Sequence, residues 1–234
     1  MSATTAVTPS TAGAEAPRAR RSARYLTIAA VTAAVAYPAT WIVGLSIASS
    51  GTTVHSTGAE ILSSYAGHTG AALVQFLLTE GVAGLLLAVA VVAVGRAGGG
   101  RAGRWFTGAG LVAAAISVAQ CGLGVALTGW AVPHERAGAA LALTQVVNRA
   151  DGVKMLLLAA VAVLGWNLAR RGRLPRWIGF LGLALAVAIA VSGLGFLLLS
   201  DTLSMAAYVS LPLLLVFVTA ACLAVSRRTR TGAR

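Results

Sequence analysis

Long apolar runs alternate with short polar gaps along the chain, and six of the runs can cross a bilayer. They occupy residues 25–48, 71–95, 105–132, 139–169, 174–200 and 204–225. A helix rises about 1.5 Å per residue, so about 20 apolar residues cover a hydrocarbon layer of about 30 Å. The pattern predicts an all-α, polytopic integral membrane protein with six transmembrane helices over residues 25–228. Pro38 interrupts the first run and Pro212 the sixth. Neighbouring helices can satisfy the backbone groups that such prolines free. The fourth run is the least regular. Its clean part is Met155 to Ala169, preceded by a second apolar stretch over 137–147, with Asn148, Arg149, Asp151 and Lys154 between them. One long helix from about Ala139 to Ala169 is expected, with its charged section near the outer boundary.

Basic residues alternate between the gaps. Fifteen of the eighteen Lys and Arg residues fall in one set: Arg18, Arg20, Arg21 and Arg24; Arg96, Arg101 and Arg104; Arg170, Arg171, Arg173 and Arg176; Arg227, Arg228, Arg230 and Arg234. The other set keeps Arg136, Arg149 and Lys154. Cytoplasmic loops carry the excess of Lys and Arg, so both termini are expected in the cytoplasm. Trp105 and Trp177 stand beside inner arginines, as interfacial aromatics do. Residues 1–24 read as a disordered basic cytoplasmic tail, and 229–234 as a second basic tail. The start of the first run looks like a signal peptide, but the run continues to Ala48, so an uncleaved signal anchor is expected.

Composition narrows the class. The chain is 58% hydrophobic and 10% charged, against about 25% charged in soluble domains. No separate soluble domain is expected. A net charge of +12 would suit a nucleic-acid binder. Here the arginines are spread over turn ends, where they meet anionic headgroups. Membrane lipids are therefore the expected partners, and nucleic acid is not. Seventeen Arg against one Lys, with abundant Ala and Gly, point to a GC-rich bacterial genome and hence to a bacterial cytoplasmic membrane. Cys121 and Cys222 fall at different depths, so no disulfide is expected.

An internal repeat is visible. Glu80-Gly81-Val82 with Leu85-Leu86-Leu87-Ala88 matches Asp151-Gly152-Val153 with Leu156-Leu157-Leu158-Ala159. In nearly the same register Arg104-Trp105 answers Arg176-Trp177, Gly110-Leu111 answers Gly182-Leu183, and Gly122-Leu123-Gly124 answers Gly193-Leu194-Gly195. Spans two and three thus resemble spans four and five as a parallel repeat, whose axis would lie along the membrane normal.

Four short features together resemble the bacterial family called domain-of-unknown-function 4386. They are Glu80 early in span two, the Arg149-Ala150-Asp151 step in span four, the Leu174-Pro175-Arg176-Trp177 corner, and Leu211-Pro212 early in span six. The resemblance implies a six-span helical fold and no established activity. The chain departs from the family pattern in span three, where Gly108–Leu111 carries no charge, and in span six, where Leu213–Val218 is wholly apolar.

Polar residues inside the apolar runs are the candidate chemistry, because an ionised group facing lipid is costly and must find a partner. Glu80 lies sixteen residues before Arg96, or about 24 Å along a helix, and should face the bundle. Asp151 is its repeat mate. Asp151 and Lys154, three apart, can pair locally, which leaves Arg149 as the expected partner of Glu80. Gln75, Gln145 and Asn148 would extend the cluster, and Gln120 would join it from below. His55, His68 and His134 on the outer face are weak metal candidates, since their spacing matches no zinc signature. The sequence calls for no cofactor.

Three functions remain open on these residues. The first is a non-catalytic membrane or partner subunit whose polar cluster is interhelical glue. The second is a small carrier or ligand-binding protein with an outward-facing cavity at Glu80 and Asp151. The third is an intramembrane acid–base enzyme acting on a lipid-soluble, terpenoid-like substrate, with Glu80 and Asp151 as its catalytic acids. Against the third stands an aromatic content of only 6%, since such a pocket needs aromatics to steady cations. Six helices are few for a carrier, so a homodimer or a larger membrane complex is also expected.

Overall fold

The computed structural model describes the backbone of residues 12–47 and 52–231, and the side chains of 24–47 and 52–229. Its elements are α1 (Ala12–Ile47), α2 (Gly58–Tyr65), α3 (Thr69–Gly98), α4 (Gly100–Ala131), α5 (Ala137–Arg170), α6 (Arg176–Leu197), α7 (Asp201–Ser204) and α8 (Ala207–Thr231). Six helices are long and apolar enough to cross a membrane. The least regular sequence run forms one unbroken helix, α5, of 34 residues.

The long helices close into a ring in chain order. α3 packs on α4, α4 on α5, α5 on α6 and α6 on α8, while α1 fits between α3 and α8. Short connections favour this order, because they set consecutive helices side by side. The turn between α3 and α4 depends on glycine. Gly99 and Gly100 both take positive φ, 62° and 61°, a conformation that a side chain would strain. The ring also closes at its ends. Thr27 and Thr229 share a hydrogen bond of 2.6 Å, and the Arg228 guanidinium donates to the Gly172 carbonyl at 2.8 Å. The start of α1, the end of α8 and the turn after α5 therefore meet at one arginine-rich end.

Pro38 removes the amide that would bond the Ala34 carbonyl four residues back. Thr219 of α8 supplies the missing donor, at 3.1 Å, so the proline is tolerated because a neighbour replaces its hydrogen bond. Small residues elsewhere set the helix spacing. Ala33, Ala113 and Ala162 are fully buried, and interfaces of small residues let backbones approach closely in a bilayer.

Toward the arginine-rich end the centre of the ring is close-packed around Phe106, Phe217, Leu168, Ile178 and Leu185, while open grooves lie on its flanks beside Arg96 and beside Trp177. A smaller apolar cluster of Ile61, Tyr65, Ala72, Leu127, Ala131 and Ala140 lies at the opposite end, under α2. α2 begins with a capping box in which the Thr57 amide donates to Glu60 at 2.7 Å and the Glu60 amide to Thr57 at 3.3 Å. Glu60 therefore serves the backbone.

The tails differ from expectation where they are described. Disorder was expected through Arg24, whereas α1 is helical from Ala12; α8 continues to Thr231. Strong helix formers such as Ala and Arg extend a helix cheaply once the span has nucleated it. Residues 1–11 and 232–234 of those tails lie outside the described residues.

Candidate functional site

Glu80 and Lys154 lie at the same depth for a simple reason. Each precedes the first arginine at the end of its helix, Arg96 or Arg170, by sixteen residues. Around Glu80 the helix is widened to a π turn over Leu77–Val82. Such bulges insert a residue into the helical ladder and often mark sites. The Thr79 hydroxyl donates to the Gln75 carbonyl at 2.9 Å and steadies the widened turn.

Lys154 Nζ donates to Glu80 Oε2 at 2.8 Å and to Asp151 Oδ1 at 2.7 Å. The Ser117 hydroxyl of α4 also donates to Glu80 Oε2. Gly84 makes that reach possible, since a Cβ there would fall 3.0 Å from Ser117 Cβ. The cluster thus joins α3, α4 and α5. Side-chain exposure is 7% for Lys154, 10% for Glu80 and 21% for Asp151.

The expected partner of Glu80 is corrected here. Arg149 is exposed, and Lys154 takes its place. Helix geometry explains the choice. Two residues from Asp151 is a turn of about 200°, which sends Arg149 to the opposite face; three residues brings Lys154 back to within about 60°. An ammonium also has three N–H donors, so pairing with Asp151 leaves Lys154 able to serve Glu80.

The expected extension of the cluster is corrected as well. Gln75, Gln145 and Asn148 are half-buried, and none of them lines the space around Glu80. Gln120 is fully buried one turn beyond Ser117, away from the arginine-rich end. There its amide donates to the Val147 carbonyl at 3.0 Å and ties α4 to α5. His55 faces Asp201 at 3.9 Å. His68 bonds the Ala66 carbonyl and His134 the Trp130 carbonyl. Each histidine has a separate neighbour, and among the described residues no three His, Cys, Asp or Glu groups gather to hold a metal.

The ion cluster borders a cavity of about 240 Å³ at the centre of the ring. Tyr37 and Trp41 of α1, Phe196 of α6, and Ala207 and Ser210 of α8 complete its wall. Leu87, Leu158 and Leu214 form its base and also cap the layer of Phe106 and Phe217 below, where the remaining void is only about 10 Å³. The cavity is therefore a cup with a packed floor. Sequence reasoning missed Ser117 and the aromatic wall. Tyr37 and Trp41 stand four apart on one helical face beside Pro38, and that spacing was the available signal.

Chemically, the cup offers one ammonium, two carboxylates, hydroxyls and aromatic rings in a space shielded by protein. Glu80 Oε2 accepts both of that residue's hydrogen bonds, and no described residue donates to Oε1. The chain matches no family model, no curated protein and no solved structure.

Proposed function

We propose that the chain is a multi-pass protein of the bacterial cytoplasmic membrane that binds a small molecule in the cup between its six helices. The observation that carries this reading is the cavity of about 240 Å³ bordered by Glu80, Lys154 and Asp151. Glue between helices needs no space beside it, and a polar cluster that served packing alone would be stabler in a filled core. A pocket of this size lies just below the range of about 300–1,000 Å³ that takes drug-sized ligands, so the ligand is small.

In this reading the arginine-rich end faces the cytoplasm and the cup faces outward. The parallel repeat belongs to the same proposal. Contacts inside the two hairpins support it: Gly110 packs on Val91, and its counterpart Gly182 packs on Ala162, the counterpart of Val91. The repeat mates Glu80 and Asp151 also both border the cup. The likeness to the domain-of-unknown-function 4386 family is compatible with this six-helix arrangement.

The packing-subunit reading is the second one, and a specific observation favours it: Lys154 bridges α3 and α5 while Ser117 adds α4. Thermal melting in detergent separates the two. A panel of small amines, alcohols and carboxylates is screened against the wild type, Glu80→Gln, and Ala207→Leu, which fills the cup. Binding predicts at least one compound that raises the wild-type melting temperature and fails to raise that of Ala207→Leu. A panel without effect on the wild type, or a shift that survives filling, would favour the packing role.

A further inference from the structure

The geometry points to a protonated amine with a compact apolar body as the ligand of the cup. The inference rests on the binding role proposed above and names its ligand class. Three independent features carry it.

The first is charge. One ammonium serves two carboxylates in the cluster, so with both acids ionised the three side chains carry a net formal charge of −1. Arg149, the nearest further cation along α5, points away and is exposed. A low-dielectric interior penalises an uncompensated charge heavily; a bound organic cation removes the penalty, as protonation of one acid would.

The second is a free acceptor. Glu80 is nine-tenths buried and borders the cup, yet both hydrogen bonds to its carboxylate go to Oε2. Oε1 is left to a donor that the described residues do not supply. An N–H of a bound ammonium would form a charge-assisted bond with Oε1. A quaternary ammonium has no N–H to give. A hard metal ion wants about six oxygens converging on one point, whereas among the described residues no three His, Cys, Asp or Glu side chains gather to hold one.

The third is the rest of the wall. Tyr37, Trp41 and Phe196 bring aromatic rings to the same small space, with Leu211 and Leu214 beside them. Aromatic rings are the apolar surface that best tolerates an organic cation. The packed floor at Phe106 and Phe217 limits the length of the body.

The test uses the full chain in lipid nanodiscs and three matched probes: 2-phenylethylammonium, the neutral 2-phenylethanol and the anionic 3-phenylpropionate. Affinities are measured by titration calorimetry. The ammonium should bind saturably, and the alcohol about tenfold or more weaker, since one charge-assisted hydrogen bond is at stake. The carboxylate should not bind. Glu80→Gln should bring the ammonium down to the level of the alcohol. If that variant is not monodisperse, Ala207→Leu must abolish ammonium binding instead. Equal affinity for ammonium and alcohol, or an ammonium preference that survives Glu80→Gln, would overturn the inference while leaving a binding cup. Tightest binding by the carboxylate would overturn it by assigning the site to Lys154. Silence from all three probes also overturns it, whereas the binding role itself falls only with the wider panel.

Discussion

The two halves of the ring solve opposite problems with the same helices. Toward the arginine-rich end, Phe106, Phe217, Val161 and Leu185 fill the centre and leave a void of only about 10 Å³ there. One or two turns away, the same helices enclose about 240 Å³ and place Glu80, Asp151 and Lys154 around it. The lower half shows that this chain can fill its centre with large and small apolar residues. The upper half is therefore a departure from a solution the fold already contains. Buried ion pairs rarely stabilise relative to apolar replacements, so a pair kept beside an open space is better explained by what enters that space than by packing.

Mutations can break this contrast. Lys154→Ala should be the most damaging change in the upper half, because it strands two carboxylates: a loss of about 3–5 kcal/mol is expected, read by reversible unfolding in mixed micelles. Phe217→Ala should cost a similar amount, about 3–5 kcal/mol, for the opposite reason, since it opens the floor. A loss below about 1 kcal/mol at Phe217 would mean that the lower half is not the close-packed layer described.

A triple replacement sharpens the contrast further. Glu80→Leu, Lys154→Met and Asp151→Asn together should leave stability within about 1 kcal/mol of wild type or raise it, because apolar groups of similar volume replace a buried pair well. Ligand binding should vanish at the same time. A stability loss as large as that of Lys154→Ala would show instead that the cluster holds the fold together. Thr219→Val should cost about 1 kcal/mol by leaving the Ala34 carbonyl beside Pro38 without its donor; no change would mean that the carbonyl does not depend on Thr219. Arg149→Ala is expected to change stability by less than about 0.5 kcal/mol, and a larger loss would restore it as a member of the cluster.

The six helices were legible because length and apolarity alone decide a bilayer span, and no tertiary contact competes with that signal. Glu80 was legible for the same physical reason, since an acid in an apolar run must turn inward. Its partner was not. Assigning Lys154 wholly to Asp151 overlooked the three donors of an ammonium, and Arg149, left by elimination, lies two helical positions from Asp151 and so on the other face. The π turn over Leu77–Val82 has no sequence signature that distinguishes it from α-helix. The aromatic wall was hidden by averaging: a low overall aromatic content does not say that Tyr37, Trp41 and Phe196 converge. Histidines could not be gathered from sequence either, because their separation depends on how the loops at the α2 end fold.

Thiol labelling tests the central contrast most directly. In a Cys121→Ala, Cys222→Ala background, single cysteines are placed at Ala207, in the wall of the cup, and at Ala221, in the packed layer beneath. Intact cells are then exposed to a membrane-impermeant cationic methanethiosulfonate. Rapid modification of Ala207→Cys with none at Ala221→Cys is the predicted result. Equal labelling at both depths, or protection of Ala207→Cys alongside Ala221→Cys, would contradict an outward-facing cup above a closed floor.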